Sequence, residues 1–308
     1  MKSPVVIAIL LASVLSFAAN AREKQDIQIA ITFDDLPVHN DLPPDVTRRQ
    51  VGRNIIKALK DAHVSKVYGF VNASHVEKEP ALGAVFADWH AAGFLLGNHT
   101  WSHPNLNDLS VDEYVEEIIR NEAALKEYSN GKEWHWFRYP FLSEGTDPEK
   151  RKLVRDALAA RGYHIAAVSM SFGDYMWNAP YARCMAKQDM ESAKLLERSY
   201  LQAASDAIDQ AHLMSTVLYK RDIPYVLLMH VGAFDARMLP KLLAMYKAKG
   251  IKLITLEQAQ KDPYYASNMD PSLPAEPVGL EKRMWARKLT VPGSEPSLPA
   301  MLDSICSK

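Results

Sequence analysis

Ile27-Gln28-Ile29-Ala30-Ile31-Thr32-Phe33 is a largely apolar, β-branched run, and Asp34-Asp35-Leu36-Pro37 follows it without a break. Such a run reads as a buried strand that delivers two carboxylates to its C-terminal end. Helical spacing at Val51, Ile55, Ile56 and Leu59 comes after a proline-bearing loop, so one βα unit is complete by residue 62. The same alternation recurs. Strands are expected at 66–71, 94–97, 134–138, 163–169, 225–229 and 251–254. Between them fall helical patterns at 81–92, 110–128, 146–161, 187–219 and 236–249. Gly93, Gly162 and Gly250 serve as stops, and Ser110 with Glu113 and Thr146 with Glu149 as caps. About seven strands, nearly all separated by helices, predict an α/β fold with a parallel sheet, closed into a barrel rather than left open. No glycine-rich phosphate loop follows the first strand, so a nucleotide-binding reading loses its main support.

The 308 residues are 48% hydrophobic and 24% charged, with 36 basic against 37 acidic side chains. That balance excludes disorder as the main state and offers no electrostatic footprint for nucleic acid or an anionic membrane. Lys2 precedes an apolar run from Val5 to Ala19, broken only by Ser13 and Ser16, which closes on Ala19-Asn20-Ala21. The run is short for a bilayer span and reads as a secretory signal at 1–21, predicting a periplasmic or secreted protein with no stable membrane span after its removal. A catalytic domain is expected at 22–262. From Pro263 on, prolines at 271, 274, 277, 292, 296 and 299 suggest a Pro-rich extension, 263–308, that wraps the surface or ends freely. Cys184 and Cys306 are too few for a disulfide scaffold, though export permits a bond between them.

In a parallel barrel, chemistry gathers where strands end. Asp34-Asp35, His99 and His103, Arg138, Asp174 and His230 all sit at or just past expected strand ends. His99 and His103, spaced i,i+4, would share one face of a helical turn and reach a single cation. Two imidazoles and one carboxylate leave an open coordination position, which is what a hydrolytic zinc ion requires. Consecutive aspartates diverge from an extended backbone, which suits one for metal and one for protons; the same four residues also fit an Asx turn. Arg138 would clamp Asp34 through a bidentate pair, or form a surface salt bridge. His230 reads as a general acid or as a core histidine.

These residues resemble the polysaccharide deacetylase family, carbohydrate esterase family 4, whose domain is a distorted seven-stranded (β/α) barrel. The likeness runs over about 27–263. The family opens with Thr-Phe-Asp-Asp-Gly-Pro, and residues 32–37 match it except for Leu36 in place of Gly. The resemblance implies Asp34 as catalytic base and Asp35 as metal ligand, joined by His99 and His103 of the family's His-Ser/Thr-x-x-His motif. Its Arg-x-Pro-Tyr/Phe-Gly motif appears as Arg138-Tyr139-Pro140-Phe141, with Leu142 where the Gly belongs. That implies Arg138 orienting Asp34 and the Phe141 N–H in an oxyanion hole. Leu228-Met229-His230 resembles the family's Leu-x-His, with His230 as the acid and Leu228 beside the substrate. Asp174-Tyr175 resembles the Asp-Trp pair that tunes this histidine, with Trp177 nearby.

The function so implied is a metal-dependent hydrolase of non-peptide carbon–nitrogen bonds. It would use a divalent ion, zinc foremost, to remove acetyl groups from N-acetylated amino sugars of a peptidoglycan- or chitin-like glycan. The same chemistry on an O-acetyl ester or a small N-acyl compound is one alternative. A non-catalytic glycan-binding relative is another, opposed by the intact base, ligands and acid. Trp101, Tyr139, Phe141, Tyr175 and Trp177 are candidates for stacking on sugar rings or, equally, for core packing. His39 reads as a plain loop histidine beside the mouth.

Overall fold

The computed structural model describes residues 26–39, 41–129, 131, 133–293 and 298–307, so the expected signal at 1–21 lies outside the described residues. Seven strands form one sheet in which every pairing is parallel: β1 (Gln28–Leu36), β2 (Tyr68–Val71), β3 (Leu95–Asn98), β4 (Trp136–Phe137), β5 (His164–Ile165), β6 (Tyr225–His230) and β7 (Lys252–Leu253). The order is β5-β4-β3-β2-β1-β6, with β7 also pairing β1. Beyond β5 the chain swings back to β6, where Met170 makes a single parallel bridge to Leu227. The Leu228 N–H donates to the Met170 carbonyl at 3.0 Å. The sheet is thus a curled, distorted barrel whose last seam is one bridge wide.

β1 has neighbours on both edges and helices over its outer face, and its side chains from Ile29 to Phe33 are buried without alternation. A near-continuous apolar run is what such a strand needs. Helix Arg48–Asp61 starts on a Thr47/Gln50 capping box, and helix Val111–Tyr128 on the expected Ser110/Glu113 box. Helix Pro148–Ala160 is capped by Asp147, not Thr146. Asp147 accepts from the Glu149 and Lys150 N–H groups, while Thr146 is drawn off to Asn107. The long helix begins later than expected, at Met190–Tyr219, because Asn178–Ala186 forms a separate helix before it. Strands at 134–138, 163–169 and 251–254 shrink to two residues each, since the barrel closes by bends and not by long ladders. No described helix is long and apolar enough to cross a membrane.

The Pro-rich extension is neither extended nor loose where it is described. It folds into short helices, including Ala266–Met269, Leu280–Ala286 and Leu298–Ser304, with Leu280, Met284 and Leu302 buried. Arg155 donates to the carbonyls of Ser267, Asp270 and Leu273, tying the extension to helix Pro148–Ala160. A disulfide joins Cys184 to Cys306 across 122 residues of sequence. Closing so long a loop restricts the unfolded chain. Replacing both cysteines by Ala is expected to lower unfolding free energy by about 2–4 kcal/mol in urea titrations. An unchanged midpoint under non-reducing conditions would show that the bond does not hold the extension.

Candidate active site

The site is built where β1, β3, β4 and β6 end. Asp34 still belongs to the ladder, opposite His230 of β6. Asp35 sits in an irregularity of β1, where the register to β2 shifts between Phe33 and Leu36, with φ of 62°. This left-handed conformation costs L-residues about 1–2 kcal/mol, Asp being among the few that adopt it. It also corrects the expectation that neighbouring aspartates diverge, which assumed an extended backbone. Asp34 Oδ2 and Asp35 Oδ1 lie 3.6 and 3.4 Å from the same nitrogen, His99 Nε2.

His99 and His103 are not on a helical turn. Thr100 and His103 both take positive φ, 63° and 64°, and the loop is pinned from within. Asn72 donates to the His99 and Thr100 carbonyls, and the Thr100 hydroxyl accepts from the His103 N–H. His99 Nδ1 donates to the Arg138 carbonyl at 2.7 Å, which leaves its Nε2 lone pair facing the carboxylates. His103 Nε2 is 3.4 Å from Asp35 Oδ1.

One ligand atom each from Asp35, His99 and His103 falls within 4.8 Å of the others. Asp35 Oδ1 is buried with no hydrogen-bond partner. An orphaned carboxylate oxygen facing two imidazole nitrogens fits a divalent cation that takes nitrogen and oxygen ligands. Charge states agree. Burial pushes the Asp35 carboxyl up, but the His39 hydrogen bond and the facing imidazoles of His99 and His230 outweigh it and hold it well below the usual range. Burial and the neighbouring His99 push His103 down to about 4, leaving it neutral at physiological pH, as a ligand must be.

Arg138 is fully buried, its guanidinium 4.5 Å over the Phe70 ring. It does not clamp Asp34 bidentately. Nη1 donates to Asp34 Oδ1 at 3.0 Å, Nη2 to Thr32 Oγ1 at 3.1 Å and Nε to the Ala166 carbonyl at 2.5 Å. Thr32 and Asp34 share one face of β1, so one guanidinium serves both. Burial lowers the Arg138 pKa, and the Asp34 charge and hydrogen bond oppose that fall.

Across the mouth, Asp174 follows Gly173, whose φ of 69° makes the turn that aims it. Asp174 Oδ1 accepts from His230 Nδ1 at 3.0 Å, and Oδ2 from the His230 N–H at 2.6 Å. Burial alone would lower His230, but the Asp174 charge and hydrogen bond, aided by Asp35 and Asp34, raise it to about 10. A pKa above the ordinary 6.5 means the pair's stabilisation is fully present below about pH 6.5 and is lost as pH rises through about 10.

The aromatic candidates separate cleanly. Tyr175 is 43% exposed, its ring 5.2 Å from that of His230. Phe141 is 63% exposed, its ring 4.6 Å from that of His103. Tyr139, expected at the substrate, is core: it packs on Phe137 and Tyr114. Trp177 is likewise fully buried and donates from Nε1 to Ser199. Neither ring has a face free for a sugar. Trp101 is covered by the Arg120 guanidinium, and Leu228 is buried in β6. Leu142, where the motif has Gly, still adopts a positive φ of 50°.

His39 is the residue sequence reasoning missed. Its Nδ1 donates to Asp35 Oδ2 at 2.5 Å, and its ring lies 4.8 Å from that of His230. The usable signal was its i,i+4 spacing from Asp35 across the bend at Pro37.

A family profile described as polysaccharide deacetylase matches residues 21–188, more than half of the chain. A peptidoglycan-N-acetylglucosamine deacetylase of Bacillus cereus is 34% identical over 98 residues, 32% of this chain and 30% of that protein. A chitin deacetylase of Colletotrichum lindemuthianum is 28% identical over 123 residues, 39% of this chain and 47% of that protein. The matches thus span less than half the length of either relative. Among solved structures, the chitin deacetylase of Colletotrichum lindemuthianum superimposes with a TM-score of 0.53 at 21% identity, over 76% of this chain and 88% of that one. A family 4 pseudoenzyme from Bacillus anthracis gives 0.51 at 17% identity, over 77% and 66%. At these identities the likeness is one of fold.

In metal-free protein, NMR titration is expected to place the His230 imidazole well above 6.5, toward about 10. In Asp174→Asn it should fall by more than one pH unit, since the partner's charge is gone. An unmoved titration would contradict Asp174 as the cause.

Proposed function

The chain belongs to the polysaccharide deacetylase family, and we propose that it is a metal-dependent hydrolase removing acetyl groups from N-acetylated amino sugars of a peptidoglycan- or chitin-like glycan. One observation carries this reading. A three-donor cluster of Asp35, His99 and His103 is flanked by a second carboxylate, Asp34, and by a histidine held protonated, His230. Ligands, base and acid surround one small volume.

A divalent cation held by Asp35, His99 and His103, zinc in this proposal, supplies positive charge that polarises an acyl carbonyl and acidifies a water. Asp34, positioned by Arg138, takes the proton of the attacking water as its oxygen bonds to the acyl carbon. The Phe141 N–H is assigned to the carbonyl oxygen while negative charge grows there. His230, its Nδ1 held by Asp174, passes the proton on its other nitrogen to the departing amine as the carbon–nitrogen bond breaks. Acetate and a free amino sugar leave. An amine leaves far better protonated, so a histidine held in its acid form favours an N-acetyl over an O-acetyl substrate. The exposed rings of Phe141, beside His103, and Tyr175, beside His230, are assigned to the sugar. A glycan outside the cytoplasm is the substrate assigned here, and the Cys184–Cys306 disulfide supports export to the periplasm or medium.

Acetate release from peptidoglycan, chitin oligomers and acetylated xylan tests the reading. Zinc-loaded enzyme should act on an amino-sugar substrate. Asp34→Asn should lose about 10²- to 10⁴-fold in kcat while still binding metal. Substantial turnover by that variant, or release from acetylated xylan alone, would contradict the proposal.

A further inference from the structure

We infer that the C-terminal extension supplies a second sugar-binding position for the substrate chain, centred on Trp285 and one or more residues removed from the acetyl group being hydrolysed. The inference rests on the amino-glycan reading above. Helix Leu280–Ala286 is fixed on its inner side. Leu280 and Met284 are buried, and Arg283 donates to the carbonyls of Pro277 and Tyr264, to the Tyr219 hydroxyl and to Asn268 Oδ1. Its guanidinium also lies 4.1 Å over the Tyr264 ring. The outward side carries Glu281, Lys282 and, one turn on, Trp285, which is 62% exposed.

A large apolar ring held open on an anchored helix forgoes burial it would gain by folding inward, which marks a binding surface more than a packing one. It lines two cavities, of which the larger, about 450 Å³, is shared with Phe172, Met176 and Pro292. The smaller, of about 280 Å³, runs between this helix and the Phe141–Leu142 loop, floored by the chain from Val168 to Ser171. Phe141, one wall of this cavity, packs on His103 of the metal-donor cluster, and Trp285 lines the same cavity.

An aromatic face with a polar rim of Ser171, Glu281 and Lys282 matches one class of ligand: a sugar ring, with apolar C–H faces and hydroxyls around its edge. The volume suits a sugar ring. A compact N-acyl compound seated at the metal-donor cluster would leave it unused.

The test is kcat/KM over a series of N-acetylglucosamine oligomers from dimer to hexamer. In wild-type enzyme it should rise with length. Trp285→Ala should lose about 3- to 10-fold on the hexamer through KM, with kcat and the shortest oligomer spared, and Trp285→Phe should recover most of the loss. An equal loss at every length, or none at any, would overturn the inference. Wild-type enzyme silent on the whole series and on peptidoglycan would defeat the amino-glycan reading instead. Hexamer titrated into Asp34→Asn protein, followed by calorimetry, then judges the groove separately. Saturable binding abolished by adding Trp285→Ala upholds it, and binding that is absent or indifferent to Trp285 overturns it.

Discussion

Two adjacent carboxylates reach one imidazole because Asp35 takes a φ of 62° at an irregularity inside β1. Had β1 stayed extended, Asp34 and Asp35 would face opposite sides of the sheet. Concentrating negative charge at a buried strand end demands compensation, and nearby elements provide it: Arg138 from just past β4, His99 from just past β3, His39 from the loop after Pro37. Uncompensated, such charge would be expelled or neutralised. The barrel's parallel strands converge these groups from residues distant in sequence.

The same clustering drives two histidines apart. His103, half-buried beside His99, is pushed down to about 4, and His230, paired with Asp174, is raised to about 10. One imidazole is left neutral and the other protonated at the same pH. Environments that separate like groups in this way are how a site divides acid, base and ligand roles.

Much of this was legible in the sequence. The βα alternation gave the parallel sheet, the Ser110/Glu113 cap lay where its residue types placed it, and the polar groups fell at strand ends as barrel logic requires. Geometry inside loops was not legible. An i,i+4 histidine pair fits a helical turn, but two left-handed residues in a pinned loop bring the rings together equally well. Tyr139 and Trp177 flank the motifs as closely as Phe141 and Tyr175, and spacing cannot say which ring turns inward. Prolines in the extension left a surface wrap and a free end both open, and Arg155, Arg283 and the Cys184–Cys306 bond fasten it through contacts far apart in sequence.

The division of labour between the paired aspartates is the central claim, and anomalous diffraction from zinc-soaked crystals tests it most directly. The account requires a single strong peak bound by Asp35 Oδ1, His99 Nε2 and His103 Nε2, with Asp34 outside the coordination sphere and still bonded to Arg138. An ion coordinated by Asp34 in place of Asp35, or seated away from the two histidines, would contradict it.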